Sequence, residues 1–520
     1  MRSKIIICSK DELRPQLTDI IASKFYLDEK LVPGQIERSL EKLIKKFNKD
    51  LSFLIEAPYV DKLYRDSYYM YYSSKYGRYE RDSIKVSVFK NVGLLANDFR
   101  NIESENKVKE AYLGFFVVRP TDPDFLGRNV ISPKAFTTEH FLYCSCIIDT
   151  TANGIKLQVE GFPHSSQDAE TCSCAETTIW SLMEYFGTKY PEYHPVKPSQ
   201  IQGLLRKFTY ERQIPSRGLT IFQISYVLKE MGFGCRIYSQ KEYNNEFFRL
   251  LSCYIESGIP IAVGMDDFDE SDSNSIGHAV LFIGKRKPKV SDKLTFLPNK
   301  GFTENQLEVL TKKQIEIWDL DDLPNEYVVI DDNQAPYELV PFENPVINYN
   351  NVLWNNVRIK NFVVPLYPKI YLEAAEAKNF IREFLTFGPY PLEIMQKVYL
   401  RFYLSSSRSF KYKLAFNNME SKLKNFILEM PMPKFVWIAE LSSQDSYKKG
   451  KINGLIILDA TEPNTSDNKP LIVAAYQNNL IFFDDESSVL MKISLTLHPF
   501  DLFLNNLTPA QDENPIQYKS

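Results

Sequence analysis

The stretch Cys172-Ser-Cys-Ala-Glu-Thr-Thr-Ile-Trp-Ser-Leu-Met-Glu-Tyr-Phe-Gly187 decides how the rest of this chain is read. From Ala175 onward its apolar residues Ile179, Leu182, Met183 and Phe186 recur at spacings of three and four, the period of a helix with one buried face, and Gly187 is a stop signal. Thr171 or Ser173 supplies a cap, which puts Cys174 in or beside the first turn. Free backbone N–H groups and the positive end of the helix dipole converge there, and both favour thiolate over thiol. A cysteine that attacks a carbonyl needs that position; one buried for packing does not.

Two further segments carry complementary chemistry. Ser275-Ile-Gly-His-Ala-Val-Leu-Phe-Ile-Gly284 reads as a strand with His278 near its beginning, and Tyr327-Val-Val-Ile-Asp-Asp-Asn333 as a strand that ends in carboxylates. Cysteine is the attacking atom, histidine takes and returns the proton, and an acid holds the imidazole tautomer. Asp332 is the expected orienting acid and Asp331 its alternate, because the two point to opposite faces if the strand continues through them. Cys172 is the rival nucleophile, expected before the helix and therefore structural or a redox partner.

These elements resemble the papain-like cysteine peptidases, and within them the bacteriocin-leader-processing group. Cys174-Ala175 through Tyr185-Phe186-Gly187, the Gly258-Ile-Pro260 lead-in to a strand, Gly277-His278 followed by aliphatic residues, and Tyr327 to Asp332 match that group's motifs over roughly residues 160–345. The resemblance implies an α+β fold with a papain-like core, a helix packed on an antiparallel sheet, and cleavage of a peptide or isopeptide bond through Cys174, His278 and Asp332. It also implies an oxyanion-donating glutamine, for which Gln167 stands seven residues before Cys174 rather than the usual six. The family's Gly-Pro after the cysteine is replaced by Ala175-Glu176, which sets a carboxylate near the thiol. The interval from His278 to Asp332 is long and requires an insertion at about 285–320 to loop out. A thiol acyltransferase uses the same parts, and a non-catalytic interaction scaffold that keeps a peptidase-like core is the contrasting class.

Length and composition set the frame. With 520 residues the chain exceeds one ordinary core, and three units are expected: 1–155, 156–365 and 366–520. It is 44% hydrophobic and 25% charged, a globular composition, and 62 basic against 66 acidic residues give a net charge of −4, too balanced to suggest nucleic acid or an anionic membrane. No apolar run has membrane-spanning length, and seven cysteines without an export signal suggest a reduced, cytoplasmic setting. The expected partner is a protein or peptide substrate, with a regulatory protein partner as a further expectation and no cofactor.

The N-terminal region offers an amphipathic helix over 32–47, a crowd of tyrosines over 59–79 read as a half-buried layer, a strand at 112–120 and a hairpin turning at Asn153-Gly154. Arg119 and Arg128 are read as structural salt-bridge residues. Cys144 and Cys146 together with Cys172 and Cys174 offer four thiols for zinc, although a one-residue spacer is tighter than usual. Beyond Pro365 a helix at 371–385 precedes strands at 434–440, 453–459 and 470–476, a small α+β unit with an antiparallel sheet.

Overall fold

The structure is a computed structural model that describes residues 4–77, 79–121, 124–137, 140–210, 212–267, 276–287, 297–323, 326–484, 489–503 and 506–511. The sequence also marks an acidic loop from Asp266 to Asn274 and a turn at Asp122-Pro123; most of that loop, residues 122–123 and part of the 285–320 insertion lie outside these residues. The architecture is mixed α+β, with three larger sheets and helices packed between and around them.

The first sheet is an antiparallel meander of Lys4–Ser9, Leu51–Tyr59, Ser83–Lys90, Tyr112–Val118 and Leu126–Ile131. The helix expected over 32–47 is two helices, Val32–Ser39 and Glu41–Lys46, that meet at Leu40. The sequence also offers a strand over 141–149, and the structure divides it. Phe141–Tyr143 joins the central sheet, whereas Cys146–Ala152 pairs with Ile155–Gly161 across Asn153 and Gly154, both at positive φ (46° and 90°) as a tight hairpin turn requires. In the tyrosine crowd, Tyr64 and Tyr72 are buried while Tyr69 and Tyr76 are exposed, so the segment forms a layer with one wet side.

The central sheet runs Glu338–Pro341, Glu326–Ile330, Gly277–Arg286, Ile261–Asp266, Arg358–Leu366, Gly234–Ser239, all antiparallel. Side chains on a strand alternate between faces, and here the alternation divides two cores. Ala279, Leu281, Ile283, Val328 and Ile330 join the core that holds the N-terminal sheet and the Cys174 helix. Val280, Phe282, Tyr327 and Val329 join the core shared with the C-terminal unit. The helix against the first face, Cys174–Lys189, is buried almost all round from Ala175 to Phe186, as suits an element enclosed by packing on several sides. It runs through Gly187 rather than stopping there. Glycine is required by close approach instead, since a Cβ would stand 2.3 Å from Pro195 N and 2.5 Å from the His194 carbonyl carbon.

The sheets cross the boundaries expected from sequence. Phe141–Tyr143 and Thr508–Pro509 both extend the central sheet, and Glu316–Asp319 lies parallel to Lys397–Ser406 in the seven-stranded C-terminal sheet.

Candidate active site at the start of the Cys174 helix

Ser173 is the N-cap of the helix and Cys174 its first residue. The Glu176 carboxylate accepts from the Ser173 hydroxyl and, at 3.2 Å, from the Ser173 N–H, which closes a capping box. Its other oxygen accepts from Ser216 Oγ at 2.6 Å and Gln202 Nε2 at 3.3 Å. The carboxylate that the sequence sets near the thiol is thus occupied by the cap and by two neighbouring side chains. The loop before the cap is organised by the buried Asp168, whose Oδ1 accepts from the N–H groups of Glu170, Thr171 and Cys172 at 3.0, 2.7 and 2.8 Å. Arg119 Nη2 holds the same loop by donating to the carbonyls of Ser166 and Gln167 at 2.8 and 2.7 Å. Arg128 pairs with Glu184 of the helix at 2.7 Å. Both arginines serve structure, and Arg119 does so directly behind the candidate site.

His278 is buried at the beginning of its strand. Its Nε2 lies 3.0 Å from Asp331 Oδ1, 3.2 Å from Tyr349 Oη and 3.7 Å from Asp332 Oδ1. The Cys174 sulfur is near enough to the same imidazole to help shift its titration, and with Nε2 engaged by oxygens, Nδ1 is the nitrogen open to it. Burial lowers the imidazole's pKa, but the Asp331 charge and hydrogen bond and the Cys174 sulfur outweigh it and raise the pKa well above the ordinary value. Asp331 shows the reciprocal effect. Burial opposes its charge, yet the imidazole, the Asn333 N–H at 2.9 Å and the Tyr349 hydroxyl at 2.8 Å hold the carboxyl below its usual range.

The sequence places Asp331 and Asp332 on opposite faces. That reasoning assumes a continuing strand, whereas the strand ends at Ile330 and the chain turns. Both carboxylates therefore approach one imidazole, and the hydrogen bond to Nε2 belongs to Asp331. Asp332 is also buried, and neither of its oxygens has a hydrogen-bond partner among the described residues. Burial and the nearby Asp331 charge push its carboxyl up to about 7 despite the imidazole.

Gln167 reaches the site edge, donating from Nε2 to Asn333 Oδ1 at 2.8 Å. Cys172 is buried, and burial together with the Asp168 and Glu176 charges raises its thiol well above the ordinary value, which suits packing rather than attack. The four thiols read as a zinc set are not brought together; among the described residues the converging ligand atoms are those of His278, Asp331 and Asp332, within 4.8 Å of one another. Burial raises Cys144 and Cys146 to about 12.

The sequence gives four neighbouring residues no role at this site. Tyr349 bonds to Asp331 and stacks on Trp354 with ring centroids 4.1 Å apart, and the Trp354 ring stands edge-on to His278 at 5.3 Å. Asn333 links Gln167 to Asp331. His164 is fully buried, with Nε2 3.0 Å from the Asp331 carbonyl oxygen and Nδ1 2.8 Å from Asn129 Nδ2. Burial holds its pKa down at about 4, so the ring is neutral. Only the aromatic pair in an asparagine-rich loop gives any local signal, and its spacing follows neither a helix nor a strand.

No protein-family model matches this chain, and no curated protein sequence matches it. No helix among the described residues is long and apolar enough to cross a membrane.

Proposed function

We propose that the protein is a thiol-dependent hydrolase with a papain-like core, acting on a peptide or isopeptide bond of a protein or peptide substrate. The observation that carries this reading is the buried His278 imidazole, bonded to Asp331 and near enough to Cys174, the first residue of its helix, to feel the sulfur. Cys174 transfers its proton to His278 Nδ1 and attacks the substrate carbonyl, and Asp331 holds the ring in the tautomer that can accept that proton. The oxyanion meets the Cys174 N–H, which lies at the helix start and has no intrahelical acceptor, and the Gln167 amide hydrogen not given to Asn333. Imidazolium then protonates the leaving amine, and water or a second nucleophile releases the acyl group. The orienting role passes from Asp332, favoured on sequence grounds, to Asp331 on geometric grounds.

The test is covalent labelling of the full chain by iodoacetamide and by a peptide aldehyde. Wild type is expected to label at Cys174, Cys174→Ala to lose that labelling by on the order of a thousandfold, and His278→Ala to slow it by on the order of a hundredfold. Equal labelling of wild type and Cys174→Ala would move the chemistry elsewhere and leave a scaffold.

A further inference from the structure

Asp332 is the anomaly of the site. Its side chain is 3% exposed, and both oxygens lack a hydrogen-bond donor among the described residues. A buried carboxylate without donors is unfavourable unless a proton or a cation completes it. The proposed acyl transfer gives Asp332 no task, since Asp331 already holds the ring. The oxygens nevertheless face a ligand set. His278 Nε2 lies 3.0 Å from one aspartate oxygen and 3.7 Å from the other. Those separations bracket the edge of about 3.3 Å expected for a tetrahedron of nitrogen and oxygen ligands around zinc. One imidazole and two carboxylates, without sulfur, suit a borderline divalent cation.

We propose that His278, Asp331 and Asp332 form a divalent-cation site of the zinc class, which a cation and the catalytic proton transfer cannot use together. Coordination takes the Nε2 lone pair, so the one proton of the neutral ring must sit on Nδ1. An Nδ1 that carries a proton cannot accept another from the Cys174 thiol. The Asp331 oxygen that orients the ring becomes a metal ligand in the same event. Tyr349 and Asn333 keep their bonds to Asp331 and support the ligand from outside. A bound cation therefore closes the ring to the thiol proton. This silencing rests on the thiol reading, whereas the binding itself does not.

Binding of Zn²⁺ to the full-length chain, read by titration calorimetry, tests the site. Wild type and Cys174→Ala are expected to bind one equivalent with similar affinity, and Asp332→Asn to bind at least about tenfold more weakly. Co²⁺ gives a second readout that needs no variant: visible bands without a sulfur-to-cobalt charge-transfer band are expected. A charge-transfer band, loss of binding in Cys174→Ala, or undiminished binding in Asp332→Asn would overturn the proposal. Zinc binding in a chain whose Cys174 proves unreactive would leave the metal site standing and remove the hydrolase. Reactive Cys174 without zinc binding would do the reverse.

Discussion

At the strand ends where the Cys174 helix begins, Asp331 and Asp332 share one imidazole. Behind the same sheet, Asp319, Asp321 and Asp322 meet Lys378, Arg382 and Arg249. Both groups are buried, but their charge balances differ. Lys378 lies 2.9 Å from Asp319 and also bonds Asp321, while Arg249 Nε donates to Asp322 at 2.6 Å. Three permanent cations there serve four carboxylates, since Arg249 and Arg382 also pair with Glu246. At the Cys174 end two acids compete for a single base that can lose its charge. A set closed by permanent cations holds structure together, whereas an open set centred on a titratable ring can move a proton or accept a cation. That is why we assign chemistry to one group and support to the other.

The largest expected effect falls on the closed set. Lys378→Met removes the cation shared by Asp319 and Asp321, and breaking such a buried pair costs about 3–5 kcal/mol. Urea unfolding should show that loss, with Cys174 labelling per folded molecule retained. A loss of labelling without a loss of stability would erase the distinction between the two groups. Next in size, Asp331→Asn should slow Cys174 alkylation by on the order of a hundredfold, and by more than Asp332→Asn does. The opposite order would restore Asp332 to the orienting role.

A smaller effect is linked to pH. His164 is held neutral, with a folded pKa of about 4 against an ordinary 6.5. The unfolded chain binds the extra proton between those values, so this contribution to stability is complete above pH 6.5 and declines as pH falls toward 4. The decline amounts to up to about 3 kcal/mol. Unfolding measured across that window should give a shallower slope for His164→Asn than for wild type. Identical slopes would place the titration on another group.

Much of this was legible locally. The Cys174 helix follows from the spacing of Ile179, Leu182, Met183 and Phe186, and the structure starts it at Cys174 with Ser173 as cap. The strands bearing His278 and ending before Asp331 follow from continuous β-branched and aromatic runs bounded by glycine and carboxylates. What local pattern cannot supply is the point at which a strand stops, and with it the direction of each carboxylate. For that reason the sequence ranks Asp332 above Asp331, whereas the hydrogen bond to His278 belongs to Asp331. Tyr349, Trp354 and His164 reach the site only through tertiary packing, from a loop and an isolated bridge with no period of their own. The sheet boundaries were hidden likewise, because pairings such as Gly284 with Tyr143 join segments far apart in sequence.

The alternation that sends Val328 and Val329 to different cores also bears on how the molecule can be divided. The central sheet is a party wall: each side finishes a room that the other cannot close. A fragment cut to residues 160–345 would keep the helix Phe247–Glu256 on that face but lose Ile381, Phe384 and Trp437 from the core it shares. Efforts to shrink this protein to a minimal unit should therefore keep the C-terminal helix Ala374–Thr386 and the sheet behind it.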